Sequence, residues 1–296
     1  MKKISVVINT KNAEKFLEIA LKSIAWVDEI IVMDMASTDN TLKIARKYTD
    51  KIYKTKDTDY VEPARNKAVQ KTSNNWILVV DADEEISPSL KKKLQEITNQ
   101  TTQIWDIPRK NIVFNKWIKN TGWWPDYQRR FFIKGSVIWD DKIHSVPTFK
   151  GKIGKLPAKE EYAIIHHNYQ SIAQFLNRLN RYTSIEAKTI KDSKKIDSSK
   201  IIKEAGDEFL RRFYQFAGHK DQLHGFSLSL LQSFYQVITT LKVWEKIGFP
   251  ETEVKIEKSV KKLISDLKYW RAHSEYKKAK NPLSKLYWLL RRRLKL

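Results

Sequence analysis

Asp81 and Asp83 stand on either side of Ala82, directly behind the apolar run WILVV at 76–80. Two carboxylates at i and i+2 of extended chain lie on one side of it, so the spacing predicts that they share a divalent cation. Hard cations such as Mg²⁺ take oxygen ligands and bind through substrate phosphates. A metal there would neutralise a diphosphate leaving group as a Lewis acid. The other reading of the same residues is plain: acids that close a strand and cap a helix near Ser87-Pro88. Short motifs match often by chance, but the carboxyl end of a core strand is where the chemical reading gains. Asp34 ends a second apolar run, ahead of MASTDNT at 35–41. A carboxylate there suits a base N–H or a ribose hydroxyl, while helix capping accounts in part for Ser37, Thr38 or Asp39. Arg65, next to Asn66, offers a fork to phosphate or carboxylate; alone it reads equally as a solvated helix face.

These side chains need a scaffold, and the first hundred residues describe one. β-branched or apolar runs at 4–8, 29–34, 51–54 and 76–80 predict strands. Helices are expected between them. The first has Asn12 as cap and Leu17, Ala20, Leu21 and Ile24 on one face. The second is capped by Asp39 or a neighbouring hydroxyl and carries Leu42, Ala45 and Tyr48. The third opens at Pro63 and runs to Gln70. Strand–helix alternation predicts an α/β, doubly wound parallel sheet, with ligands beyond the carboxyl ends of its strands. That rule points to Asn9, Thr10, Asp34, Asp81 and Asp83. Residues 103–150 read as strands and loops, with turn signals at Asn115, Asn120 to Gly122 and Lys134-Gly135. From Ser171 the period is helical, with Ile172, Phe175, Leu176, Leu179 and Tyr182 on one face. Leu230, Leu231, Phe234, Ile238 and Leu241 repeat it later. Residues 191–200 read as a loop or frayed helix.

The order ISVVINTKN, EIIVMDMASTDNT, EPARNKA and WILVVDADEEI resembles glycosyltransferase family 2. The later run GWWPDYQRRFF, KIHSVP and IIHHNYQSIAQFLNRLNRYT is similar to a subgroup acting on bacterial lipopolysaccharide core and other cell-surface glycans. Several spaced motifs over roughly residues 1–245 carry the likeness. The resemblance implies a GT-A fold, a Rossmann-like nucleotide-diphospho-sugar transferase domain with a mostly parallel mixed sheet. It implies a catalytic domain over 1–168, with a nucleotide half to 100 and an acceptor half beyond. A helical region at 169–250 and basic amphipathic helices at 251–296 would follow. It implies an inverting, metal-dependent hexosyl transfer using Mg²⁺ or Mn²⁺ and a nucleotide-sugar, a UDP-sugar being favoured.

By position, the resemblance puts Thr10 and Asp34 at the base, Arg65 and Asn66 on the nucleotide side, and Asp81 and Asp83 at ribose and metal-diphosphate. Asp126 falls near the acceptor, and Arg130 faces the diphosphate. Where relatives read His-Glu, this chain reads His144-Ser145. Ser145 cannot serve as a general base, and an inverting transfer needs one in reach of the acceptor hydroxyl. Asp126 is the first candidate, then Asp140 or Asp141, then His144; Asp126 reads about equally as a turn residue after Pro125. A changed acceptor or a weakened enzyme is the other reading of this departure. His166 and His167 are adjacent on a strand, so they point to opposite faces and do not share one ion.

Composition sets the class. Apolar residues at 41% allow a real core, and zero Cys excludes a disulfide scaffold, a thiol nucleophile and a Cys-ligated zinc. Absence of Cys also suits a reducing cytosol. The net charge of +22 is concentrated beyond residue 100, where 39 basic face 19 acidic residues. That implies a phosphate-rich partner: nucleic acid, anionic lipid or a diphosphate substrate. The amino-terminal run reads as a strand, not a signal peptide. The longest uncharged stretch, 16 residues from Phe226, holds seven Ser, Gln or Thr and is too short to span a bilayer. A cytoplasmic protein, peripheral on the inner face of the plasma membrane, is expected.

Five of the ten Trp lie between 105 and 139, and one of Trp123 and Trp124 is expected to stack on acceptor sugar. The final LSKLYWLLRRRLKL suits an anionic membrane interface or an amphipathic helix docked on the domain. A non-catalytic basic protein binding nucleic acid or anionic membrane stays as the alternative. It leaves Asp34, Asp81 and Asp83 unexplained and shows no nucleic-acid motif, so nucleic acid is not the expected partner.

Overall fold

A computed structural model describes residues 2–56, 61–139, 147–190 and 196–296. In chain order its strands and helices are β1 (Ile4–Thr10), α1 (Leu17–Ser23), β2 (Glu29–Asp34), α2 (Thr41–Ala45), β3 (Ile52–Lys54), α3 (Glu62–Gln70), β4 (Trp76–Asp81), β5 (Glu84–Ile86), α4 (Pro88–Ile97), β6 (Ile104–Ile107), β7 (Arg109–Val113), β8 (Lys116–Trp117), β9 (Gln128–Ile133), β10 (Val137–Ile138), β11 (Thr148–Phe149), β12 (Ile153–Lys155) and β13 (Ile164–His167). The helices α5 (Ile172–Thr189), α6 (Ser198–Leu210), α7 (Gln222–Lys246), α8 (Glu257–Lys278) and α9 (Pro282–Leu294) follow. Two compact units result: residues 1–113 with 124–168, and residues 114–123 with 169–296. Residues 114–123, expected with the first unit, group with the second, and the two expected carboxyl-terminal regions group as one.

The first unit is built on a seven-stranded sheet in the order β12-β6-β9-β4-β1-β2-β3. β1 runs parallel to β2 and β4, while β9 is antiparallel to β4 and β6. The sheet is therefore mixed and mostly parallel, a GT-A-like α/β architecture. Alternation along β1 feeds two cores. Val6 and Ile8 pack with Leu17, Leu21, Leu90 and Leu94 on one face. Val7 packs with Ile31, Ala64, Ala68 and Phe132 on the other. Because both faces are covered, β1 and β2 are buried at every position. The parallel register sets Thr10 beside Asp34 and Asn9 beside Asp81. A smaller sheet holds β13 between β5 and β7.

Glu29 ties the opposite ends of these strands together. Its carboxylate accepts from the Ser5 hydroxyl, from the Ser73 amide and hydroxyl, and from Lys51 Nζ at 2.5 Å. Burial alone would raise its pKa, but the hydrogen bonds from Lys51, Ser5 and Ser73 outweigh that and hold it at about 2. The folded value lies below the ordinary 4.5, so this stabilisation is complete above that pH and is lost as pH falls through about 2. Glu29→Gln is expected to cost about 2 kcal/mol at pH 7 and much less at pH 3, read by urea unfolding at both pH values.

Two expectations about helices need correction. Asn12 caps nothing: it has φ +48°, and its Oδ1 accepts from the Thr38 amide at 2.8 Å, tying the β1 exit to the β2 exit. The faces expected to be buried on α5 and α7 are also partly outward. Phe175 and Leu179 are buried, but Ile172, Leu176, Leu230 and Phe234 are exposed. α7 instead buries Ser229, Ser233, Thr239 and Thr240. Their hydroxyls are satisfied by Gly225 O, Ala205 O, Tyr235 O and Glu204, so a small polar face packs closely against α6. Among the described residues, no helix is long and apolar enough to cross a membrane.

Candidate active site

The carboxyl ends of β1, β2 and β4 bring together the residues that the sequence singled out in the first unit. Asp34 is buried; it accepts from the Thr10 hydroxyl at 3.1 Å and from the Ser37 amide at 3.1 Å. Beside it, the Asn9 side chain is buried with neither polar atom hydrogen-bonded among the described residues. Asp81 closes β4 and accepts from Arg65 Nη2 at 2.7 Å and from Arg130 Nη2 at 2.5 Å. Arg65 is on the buried side of α3, not on a solvated face. Burial opposes ionisation of Asp81, but the charges of Arg130 and Arg65 win and hold it well below the usual carboxylate range. Asn66 points elsewhere: its amide exchanges two hydrogen bonds with the Trp139 backbone.

Asp81 and Asp83 are not two teeth of one extended comb. β4 stops at Asp81, and residues 82 and 83 form a turn into β5. The pair therefore serves different partners. Asp83 Oδ2 lies 3.6 Å from His166 Nε2, while Asp81 holds the two arginines. His167 points away, stacked on Phe16 with ring centres 5.2 Å apart and Nε2 3.3 Å from Glu85. The opposite-face expectation for the two histidines thus matches the geometry.

Behind Asp81 a network of alternating charge continues. Arg109 donates to Glu84 at 3.2 Å and, through Nε and Nη2, to Asp126 at 2.8 and 2.6 Å. Asp126 also accepts from Asn111 Nδ2 and Gln128. Burial would raise its pKa, but Arg109, Asn111 and Gln128 together hold it below the ordinary value. Asn111, having spent Nδ2 on Asp126, turns Oδ1 to His166 Nδ1 at 2.6 Å. An acceptor there requires a proton on Nδ1, and in the neutral ring the Nε2 lone pair then faces Asp83.

Two lone-pair donors facing each other fit a divalent cation whose other ligands come from substrate phosphates. No cluster of three or more His, Cys, Asp or Glu that could hold a metal ion exists among the described residues. A cleft of about 290 Å³ opens beside the arginines, lined by Glu62, Arg65, Arg129, Arg130, Tyr127 and Trp139. Trp139 lies under Arg65, 5.9 Å from its guanidinium carbon.

The model of glycosyl transferase family 2 matches residues 5–151, which covers β1 through the Asp81–Asp83 turn and Arg130. The chain belongs to glycosyltransferase family 2. An uncharacterized glycosyltransferase of Rickettsia typhi is 29% identical over 83% of this chain and 88% of its own. The lipopolysaccharide core biosynthesis glycosyltransferase LpsC of Rhizobium meliloti is 23% identical over 82% and 92%. Among solved structures, S. aureus TarS (residues 1–349) aligns over 87% of this chain and 95% of its own, at 16% identity and TM-score 0.43.

Several residues of this glycosyltransferase's site escaped the sequence reading: Glu84, Arg109, Asn111 and the place of His166 beside Asp83. Only DADEE and IIHHN hinted at them, as polar residues interrupting apolar strands. Trp123 belongs to the second unit, edge-on to Tyr169, and Trp124 to the first. Asp140, Asp141, His144 and Ser145 lie outside the described residues.

Proposed function

We propose that this glycosyltransferase moves a hexose, with inversion, from a nucleoside-diphosphate sugar to a membrane glycolipid or cell-surface glycan. UDP is the favoured nucleotide, and a lipopolysaccharide-core type of acceptor is supported by the relative LpsC. The observation that carries the reading is the 3.6 Å approach of Asp83 to His166 Nε2, next to Asp81 with its two arginines. Thr10 and Asp34 would take the base and ribose, where Asp34 is already fixed as an acceptor. Asp83 and His166 would hold Mg²⁺ or Mn²⁺, and the cation would supply charge neutralisation of the leaving diphosphate. Arg65 and Arg130, preoriented by Asp81, would add positive charge there without reorganisation.

The acceptor hydroxyl attacks the anomeric carbon opposite the diphosphate; the sugar–phosphate C–O bond breaks, and the hydroxyl proton passes to a base. Asp126 suits a positioning role better than that of base, since its oxygens are committed and its pKa is lowered. The base is then sought at Asp141 and His144, and the acceptor contact at Trp123 or Trp124. Calorimetric titration with UDP, GDP, CDP and ADP, with and without Mn²⁺ or Mg²⁺, tests the reading. Metal-dependent binding of one nucleotide supports it and names the donor class. Folded protein that binds none overturns it.

A further inference from the structure

α9 docks on α8 with a stripe of leucines turned outward. Asn281 Oδ1 caps it, accepting from the Ser284 amide, and Pro282 opens it. Polar contacts join it to α8, and Trp288 and Leu289 are half-buried. Arg292 donates to His273 Nδ1 at 3.0 Å and lies 5.1 Å from the Tyr276 ring centre, and Lys295 lies 3.7 Å from Asp266. The apolar stripe is left in the open: Leu283 is 81% exposed, Leu286 53%, Leu290 49% and Leu294 64%. These four fall at spacings of three and four, on one helical face. Residues 282–296 also carry five basic side chains and no acidic one.

We propose that α9 is a membrane-surface anchor that lays this stripe into the headgroup region of an anionic bilayer. An exposed apolar stripe on a helix that also exposes Lys285 and Arg293 combines the two attractions such binding needs, apolar burial and charge. The charge selects lipid over the competing occupants. A second copy would set one basic strip against another, and a nucleic-acid backbone would leave the leucines without a partner. Tyr287, 52% exposed, is a residue type favoured at a membrane interface. The anchor deepens the glycolipid reading, on which its biological purpose rests, by giving the enzyme a place to meet its acceptor.

The test uses the full chain and sedimentation with vesicles of phosphatidylcholine alone or mixed with phosphatidylglycerol. Wild type is expected to bind the mixed vesicles at least tenfold more tightly than the neutral ones. Leu286→Ser/Leu290→Ser and Lys285→Gln/Arg293→Gln are each expected to lose about tenfold, with unchanged melting, because these side chains are largely exposed. Wild type that stays in solution with both vesicles overturns the proposal, as do variants that bind like wild type. A stripe that mediates self-association, seen as a dimer that the leucine variant abolishes while vesicle binding is absent, overturns it as well. Nucleotide titration of the same samples keeps the two readings apart, since α9 can fail while nucleotide binding holds, and the reverse.

Discussion

Asp83→Asn is expected to lose metal-dependent nucleotide binding by about 100-fold, or ~3 kcal/mol, while the protein stays folded. Asparagine keeps the size and the backbone of the turn. The Asp83 carbonyl would still accept from the His167 amide at 2.8 Å, so β5 and β13 stay in place. What disappears is the anionic oxygen facing His166 Nε2. A hard cation held by this carboxylate and an imidazole loses its only charged ligand among the described residues in this change. Calorimetry with the preferred nucleotide and Mn²⁺ measures the effect, and a melting curve controls for folding. Nucleotide binding without metal should change little. If Asp83→Asn binds metal and nucleotide like wild type, the cation is not at Asp83 and the proposed mechanism fails with it. Asp81→Asn is a poorer probe, because it also strips two buried arginines of their counter-ion.

The contrast between these two aspartates shows how far the sequence could be read. The strands that end in Asp34 and Asp81 were legible because both faces of a parallel sheet are covered, leaving unbroken β-branched runs. Local chemistry was legible too: Ser87 caps the helix it precedes, and the helical period read from Ser171 begins at that residue's cap. The turn at residues 82 and 83 was not, since nothing in DADEE distinguishes a strand that continues from one that breaks. The partners of Asp81, Asp126 and His166 were not legible either. Arg130 meets Asp81 across 49 positions, and Asn111 meets His166 across 55, and such pairings follow from topology, not from spacing. Helix faces failed for a different reason. Periodicity finds an apolar stripe but assumes that it is the buried one. On α7 a row of satisfied hydroxyls packs inward instead.

Arg109→Met is expected to be the most damaging single change to stability in the site, although Arg109 need not touch substrate. Its guanidinium joins Glu84, whose side chain is wholly buried, to Asp126. Burial disfavours its charge, yet the neighbouring Asp126 and Glu84 carboxylates hold its pKa above even the ordinary arginine value. Removing one partner of a buried pair leaves an uncompensated charge, at a cost of about 3–5 kcal/mol. Glu84 would keep the Asp81 amide at 2.9 Å but only a 3.7 Å approach from Arg130. Thermal melting should fall by roughly 10 °C. Adding Glu84→Gln should recover part of the loss, because it neutralises the orphaned group, and that recovery separates charge from lost packing. Arg109→Lys should fall between, keeping the charge without the fork that grips Asp126 through two nitrogens. A melting temperature within 2 °C or so of wild type for Arg109→Met would mean that Glu84 and Asp126 need no counter-ion. A second effect travels outward. Asp126 holds the Asn111 amide, and Asn111 sets which nitrogen of His166 carries its proton. Loosening Asp126 should therefore weaken Mn²⁺ binding by about tenfold, the usual reach of groups that orient a metal ligand. Phe16 and His167, on the other face of β13, should be untouched.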